Sequence, residues 1–154
     1  MYKNNFLLRA NMIADFRFIW ESNVLEWIFC SKIIRLNIPR LDAAKVDPVR
    51  QLVFAISEPE PLPTVLKIFN AEGQELLLSA PPENAYFYYL TFNLSKEVIV
   101  VCSFAIHQNG WYDWFYTYDM KLNTLSRSGP ACWDRKRPKI LTITSGKRGL
   151  HKQF

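Results

Sequence analysis

Histidine and cysteine are scarce in this chain, two and three residues among 154, and neither type is spaced for metal ligation. Cys30, Cys102 and Cys132 are odd in number and far apart, which leaves no disulfide framework and no CxxC pair and points to a reducing compartment. His107 and His151 have no Cys, Asp or Glu at zinc-ligand spacing. Nucleophile motifs are missing too. No G-x-S-x-G elbow occurs, and Ser145–Gly149 reads SGKRG, without the full spacing of a phosphate-cradling Walker loop. Ser103, His107 and Asp113 supply the residue types of a hydrolytic triad, but nothing in their spacing aligns nucleophile, base and oxyanion donors. Asp113 and Asp119 would stand roughly 20 Å apart on an extended strand, whereas glycosidase carboxylates need about 5–10 Å. The sequence therefore carries no catalytic or metal residue set, and no cofactor is expected.

Long apolar runs are absent as well. Val98–Ile106 is the longest, it contains Ser103, and it falls short of the roughly twenty residues that cross a bilayer as a helix. Arg9, Asp15 and Arg17 interrupt the apolar residues near the start, so no signal-peptide pattern emerges. The expectation is a cytoplasmic protein with no transmembrane association. A length of 154 residues suits one domain with a sizeable core, and 49% hydrophobic with 21% charged residues is a globular composition.

What the chain has in abundance is aromatic and β-branched sequence in short runs. TVLKIFN, QELLLS, AYFYYLTF, EVIVVCSFAI, WYDWFYTYD and TLSR follow one another, separated by AEG, PPEN, NLSK, HQNG and MKLN. Such separators are too short for crossover helices, so sequential antiparallel pairing is the simplest path. Gln51–Ser57 reads as a further strand, IIRLNIP as a short edge strand limited by Pro39, DAAKVDP as a connector, and the proline-rich stretch 58–63 as a loop. Strand spacings do not reproduce one unit, so no repeat architecture is assigned. Ile13, Phe16, Trp20, Val24 and Trp27 recur three or four positions apart and predict one helix over residues 12–30. The expected fold is thus α+β, a predominantly antiparallel β meander or roll with one N-terminal helix. Residues 1–144 would form one β-rich domain and 145–154 a flexible basic tail. KILTITS would be a last strand.

Two features point to function. In WYDWFYTYD, alternation places Tyr112, Trp114, Tyr116 and Tyr118 on one side of a strand, opposite Asp113, Phe115, Thr117 and Asp119. Rings in that arrangement form either a sheet core or a contact ridge. Residues 134–152 hold seven Lys and Arg against one Asp, more positive charge than the +5 of the whole chain. That segment suits an acidic protein surface or phosphate groups. Cys102 shares a strand face with Val98, Val100, Phe104 and Ile106 and reads as a buried thiol.

Residues 109–130, through NGWYDWFYTYD and TLSRSGP, resemble small bacterial interaction proteins, immunity proteins among them; the resemblance transfers no residue roles. The leading expectation is a non-enzymatic protein-binding domain, an inhibitor or immunity protein, with Trp111, Tyr112, Trp114 and Tyr116 at the contact and Arg135, Lys136 and Arg137 at a basic rim. Its partner would be a protein with an acidic surface, and homo-oligomerisation stays compatible with that reading. A nucleic-acid-binding module and a small hydrolytic enzyme are the alternatives.

Overall fold

A computed structural model describes residues 11–131 of the chain. Strands β1 (Ala14–Ile19), β2 (Val24–Phe29) and β3 (Lys32–Asn37) form a first sheet in the order β1-β2-β3. A second sheet follows from β4 (Leu41–Asp47), β5 (Leu52–Pro59), β6 (Pro63–Asn70) and β7 (Glu75–Ser79), and a third from β8 (Ala85–Phe92), β9 (Val98–Gln108), β10 (Trp111–Asp119) and β11 (Thr124–Pro130). Every pairing is antiparallel and joins strands adjacent in sequence. Short links permit nothing else, since a parallel pairing needs a crossover of a dozen or more residues.

The three sheets stack through two apolar layers, with the second sheet in the middle. Leu25 and Trp27 of the first sheet meet Val53, Ala55 and Phe69 of the second. On the opposite face of that second sheet, Leu52, Phe54, Ile56, Leu66 and Ile68 meet Phe87, Val98, Val100, Cys102, Trp114 and Tyr116 of the third. β5 is apolar on both sides because both of its faces are covered. The outward face of the first sheet is polar where Glu26 pairs with Arg17 on one neighbouring strand and Arg35 on the other.

The expected N-terminal helix over 12–30 does not form, and the α+β class is corrected to an all-β fold. Among the described residues the helical part is one 3-10 turn, Trp20–Ser22, between β1 and β2. Asn23 in the left-handed region (φ 56°) reverses the chain there. The two arms alternate: Phe16 and Phe18 on β1, then Leu25, Trp27 and Phe29 on β2, face the inner layer. A bulge between Ala14 and Arg17 and the turn at 20–23 broke this period of two into spacings of three and four, which imitated a helix. DAAKVDP is likewise no connector; it is most of β4, paired with β5 along its length. The stretch 58–63 does turn the chain, although Pro59 and Pro63 still pair across it. KILTITS and the tail at 145–154 lie outside the described residues. No helix among the described residues is long and apolar enough to cross a membrane.

Four of the hairpin turns share one device, a side-chain oxygen that accepts from two backbone amides further along. Asp47 takes the amides of Val49 and Arg50, and Asp119 those of Lys121 and Leu122. Asn70 takes those of Glu72 and Gln74, and Asn93 those of Ser95 and Glu97. Such Asx turns satisfy amides that the ladder cannot reach. The Asp version closes the first hairpin of the second sheet and the last hairpin of the third, and the Asn version the reverse. The successive meanders are alike in fold while their sequences are not, so no period shows in the chain.

The β6–β7 turn also joins the first two sheets. The indole of Trp27, fully buried, donates to the Ala71 carbonyl at 2.7 Å. Gly73 sits at φ +85°, and a Cβ there would lie 2.7 Å from Ile34 Cγ2 and within reach of Leu36 and Trp27. Both the backbone angle and the space demand glycine. Gly73→Ala is expected to lower stability by about 1–3 kcal/mol, read as an earlier midpoint in urea unfolding with an unchanged slope.

Candidate functional site

The aromatic strand β10 keeps the predicted alternation but faces inward. Trp114 and Tyr116 are 8% and 9% exposed, and with Tyr118 they belong to the layer shared with the second sheet. The Tyr118 ring stands edge-on to Phe54 at 6.2 Å, and its hydroxyl donates to Asn123 Oδ1 at 2.6 Å. These ring faces are occupied by the protein's own core. The Arg127 guanidinium lies over the Trp114 ring, 4.2 Å from its centroid, and the indole N–H donates to the Trp111 carbonyl at 3.1 Å.

Trp111 and Tyr112 are placed differently. The last pair between β8 and β9 is Ala85 with Phe104, whereas β9 continues to Gln108 and pairs there with Trp111. The β9–β10 hairpin therefore projects past the edge of its own sheet. Ile106 on this projection is 70% exposed, and His107 is exposed and meets Tyr112 edge-on at 5.8 Å. Tyr112 is half-buried, as is Trp111, which packs against the inner layer. Asn109 and Gly110, both at positive φ, close the tip. Of the seven contact residues expected from sequence, the structure gathers Trp111 and Tyr112 at one exposed end, buries Trp114 and Tyr116, and leaves Arg135, Lys136 and Arg137 outside the described residues. Sequence reasoning missed Ile106, assigning it to the apolar face of its strand. Only the length of β9 relative to β8 reveals that the face has ended before residue 106.

The charge distribution sharpens this picture. Residues 11–131 carry ten Lys and Arg against thirteen Asp and Glu, so the sheet body is slightly acidic and the positive charge belongs to the two ends of the chain. Among the described residues no group of three or more His, Cys, Asp or Glu could hold a metal ion. Asp119 binds turn amides, as its place at a strand end suggested, and Asp113 is buried on the opposite face of β10 from Trp114.

The strongest electrostatic cluster is structural. Asp47 is fully buried at the end of β4; its Oδ2 accepts from Arg50 Nε and from the Val98 amide, both at 2.9 Å. Arg50 in turn donates to the carbonyls of Tyr118 at 2.6 Å and Val98 at 3.2 Å, and its guanidinium lies 3.3 Å from the Glu97 carboxylate. One turn of the second sheet thereby clasps two strands of the third. Charge-assisted bonds of this kind, shielded from water, are the strong ones.

Cys102 lies in the same inner layer with Val98, Val100 and Phe104, as its alternation implied. Burial pushes its thiol well above the ordinary range, with the Asp113 carboxylate adding to the shift. Burial also raises Tyr116 and Tyr118. Cys102 is thus a protonated core thiol at neutral pH, the opposite of an activated nucleophile.

No family model matches the chain, and no curated protein or solved structure matches it.

Two outcomes are expected. Asp47→Asn removes the charge that Arg50 and the Val98 amide share; because Arg50 keeps Glu97 and is 15% exposed at its side chain, the loss should be about 2–3 kcal/mol, below the roughly 3–5 kcal/mol of a fully buried pair. Urea unfolding checks it, and Asp119→Asn, at a turn without the clasp, should cost less than half as much. The second concerns alkaline pH. A thiol whose folded pKa is raised holds its proton in the native state while the unfolded chain releases it, so stability is intact below about pH 8.5 and falls as pH rises beyond it. Unfolding midpoints at pH 7, 9 and 10 should decline, and Cys102→Ala should flatten the portion between pH 8 and 9.5.

Proposed function

We propose that the chain is a non-enzymatic protein-binding module whose contact surface is the projecting end of the β9–β10 hairpin. The observation that carries this reading is the pairing of solvent-exposed Ile106 and His107 with half-buried Trp111 and Tyr112 on a hairpin that outruns its sheet. Half-buried rings suit recognition because the covered part is held rigid by packing, so little side-chain freedom is lost when a partner covers the remainder. The edge contact between His107 and Tyr112 holds the tip in one arrangement.

The partner this surface suits is a protein, with an apolar patch for Ile106 and the rings. Arg135, Lys136 and Arg137 supply a cationic segment that steers an acidic partner toward the chain, a long-range effect on encounter. Action as an inhibitor or immunity protein is the form of binding that needs no chemistry from this chain; the tip would occlude a partner's working surface. A nucleic-acid platform is less well supported, because Trp114 and Tyr116 have no free ring face for base stacking and the sheet body carries a slight negative charge.

Affinity purification of the full chain should recover a stoichiometric protein partner. Trp111→Ala with Tyr112→Ala should weaken that complex at least tenfold, and charge reversal at Arg135, Lys136 and Arg137 should slow association more than it speeds dissociation. If the aromatic pair of variants binds as the parent does, the hairpin is not the contact surface. Binding to RNA or DNA that collapses with salt, with no protein complex, would favour the nucleic-acid reading.

A further inference from the structure

The outer face of the third sheet, turned away from the second, is apolar and buried, although no sheet among the described residues lies against it. Ile99, Val101 and Ser103 of β9 alternate with the inward residues and are 6%, 0% and 4% exposed, and Asp113, paired with Ser103 on β10, is 5% exposed. Tyr88, Tyr89 and Val101 form one cluster with Leu62 and Ala131, against which half-buried Tyr86 and Phe115 pack. Burial along β9 is therefore unbroken from Val98 to Phe104, the same pattern as Leu52–Ser57 of β5, which has a sheet on each side. The other outer face of the stack is the reverse: on the first sheet Arg17 and Arg35 stand largely exposed around Glu26.

The buried face is three strands wide, about 10 Å, and about 13 Å long from Ile99 to Ser103. Within its cluster the side chains from beyond the sheet are Leu62 and Ala131. Two small side chains leave most of such a face to another cover, and three observations name it. Ala131, the last described residue, is already seated there: it is 1% exposed, belongs to the cluster with Val101, and its amide donates to the Asp113 carbonyl at 3.0 Å. Residues 132–154 follow from that fixed point, and about four residues of extended chain are enough to cross 13 Å. Their composition is complementary as well. Trp133, Ile140, Leu141 and Ile143 are apolar, and seven Lys and Arg against Asp134 match a body with ten Lys and Arg against thirteen Asp and Glu, Asp113 on this very face among them. A tethered segment also competes at an effective concentration of the order of millimolar, which favours it over a separate molecule.

We propose that the chain's own segment 132–154 docks on the outer face of the third sheet, its apolar residues against Tyr88, Tyr89, Val101 and Phe115 and its positive charge drawn toward Asp113. Two consequences bear on recognition. The most apolar outer face of the stack is taken by the chain itself and is not the surface offered to a partner. Arg135, Lys136 and Arg137 follow Ala131 by four to six residues and so lie at most about 14–22 Å from it. Because Ala131 is bonded to Asp113, that distance is measured from the start of β10, where Trp111 and Tyr112 stand. The docking does not depend on the hairpin contact.

Amide hydrogen exchange of the full chain, read by mass spectrometry on fragments from residues 132–154, tests the docking. Part of that segment should exchange about tenfold or more slowly than a free peptide of the same sequence, and equally so at about 1 and about 100 µM chain. Phe115→Gln on the face and Trp133→Gln on the segment should each reduce that protection severalfold, while fragments covering β5 and β6 keep theirs. Trp133→Gln changes no residue of the three sheets, so it decides the point even if Phe115→Gln disturbs them. Exchange at the free-peptide rate in the parent overturns the proposal. Protection that disappears on dilution overturns it too and assigns the face to a second copy, and protection that Trp133→Gln leaves unchanged places the segment elsewhere.

Discussion

The carboxylate of Asp47 organises more of this molecule than any other single group. It ends β4, nucleates the following turn by taking two amides, and holds the Arg50 guanidinium so that it reaches the carbonyls of Val98 and Tyr118. Sheets that pack through apolar side chains alone slide easily, because dispersion and water exclusion are not directional. A buried acid with charge-assisted bonds to a neighbouring sheet's backbone fixes the register between them. Asp47 itself has no solvent exposure, and a charge is tolerated there because each of its oxygens accepts two bonds.

Once the second and third sheets are locked, the aromatic strand has a determined fate. Trp114, Tyr116 and Tyr118 face the second sheet and fill the layer, so the residues with the largest contact potential become the core. What remains for recognition is whatever lies beyond the reach of the neighbouring strands. β9 and β10 outrun β8 at one end of the stack, and the turns protrude at the other. The proposed contact surface is therefore a consequence of unequal strand lengths rather than of a dedicated pocket.

Much of the local structure was legible. AYFYYLTF and WYDWFYTYD coincide with β8 and β10, and QELLLS and TVLKIFN fall within a residue of β7 and β6, because β-branched and aromatic runs bounded by Asn, Asp and Gly have few other ways to be satisfied. The face of Cys102 was legible for the same reason. Misreading came where one residue pattern served two periods. Ile13, Phe16, Trp20, Val24 and Trp27 fit a helical stripe, yet the same stretch, once bulged at 14–17 and turned at 20–23, puts Phe16, Phe18, Leu25 and Trp27 on one sheet face. Of the expected contact set, alternation in β10 was readable, but whether its ring-bearing side met solvent or another sheet was not.

By itself the sequence determined the elements that depend on neighbours along the chain: antiparallel strands joined by short turns, their alternating faces, a buried thiol, and turn residues whose side chains bond amides a few positions away. Those are short-range consequences of dihedral preference and hydrogen-bond reach. Tertiary structure alone decided which faces are covered, since the partition into three sheets and their stacking bring together residues as distant as Asp47 and Val98 or Trp27 and Ala71. Burial is a property of what lies across the layer, about 10 Å away, and no local pattern in a strand states whether a second sheet will be there.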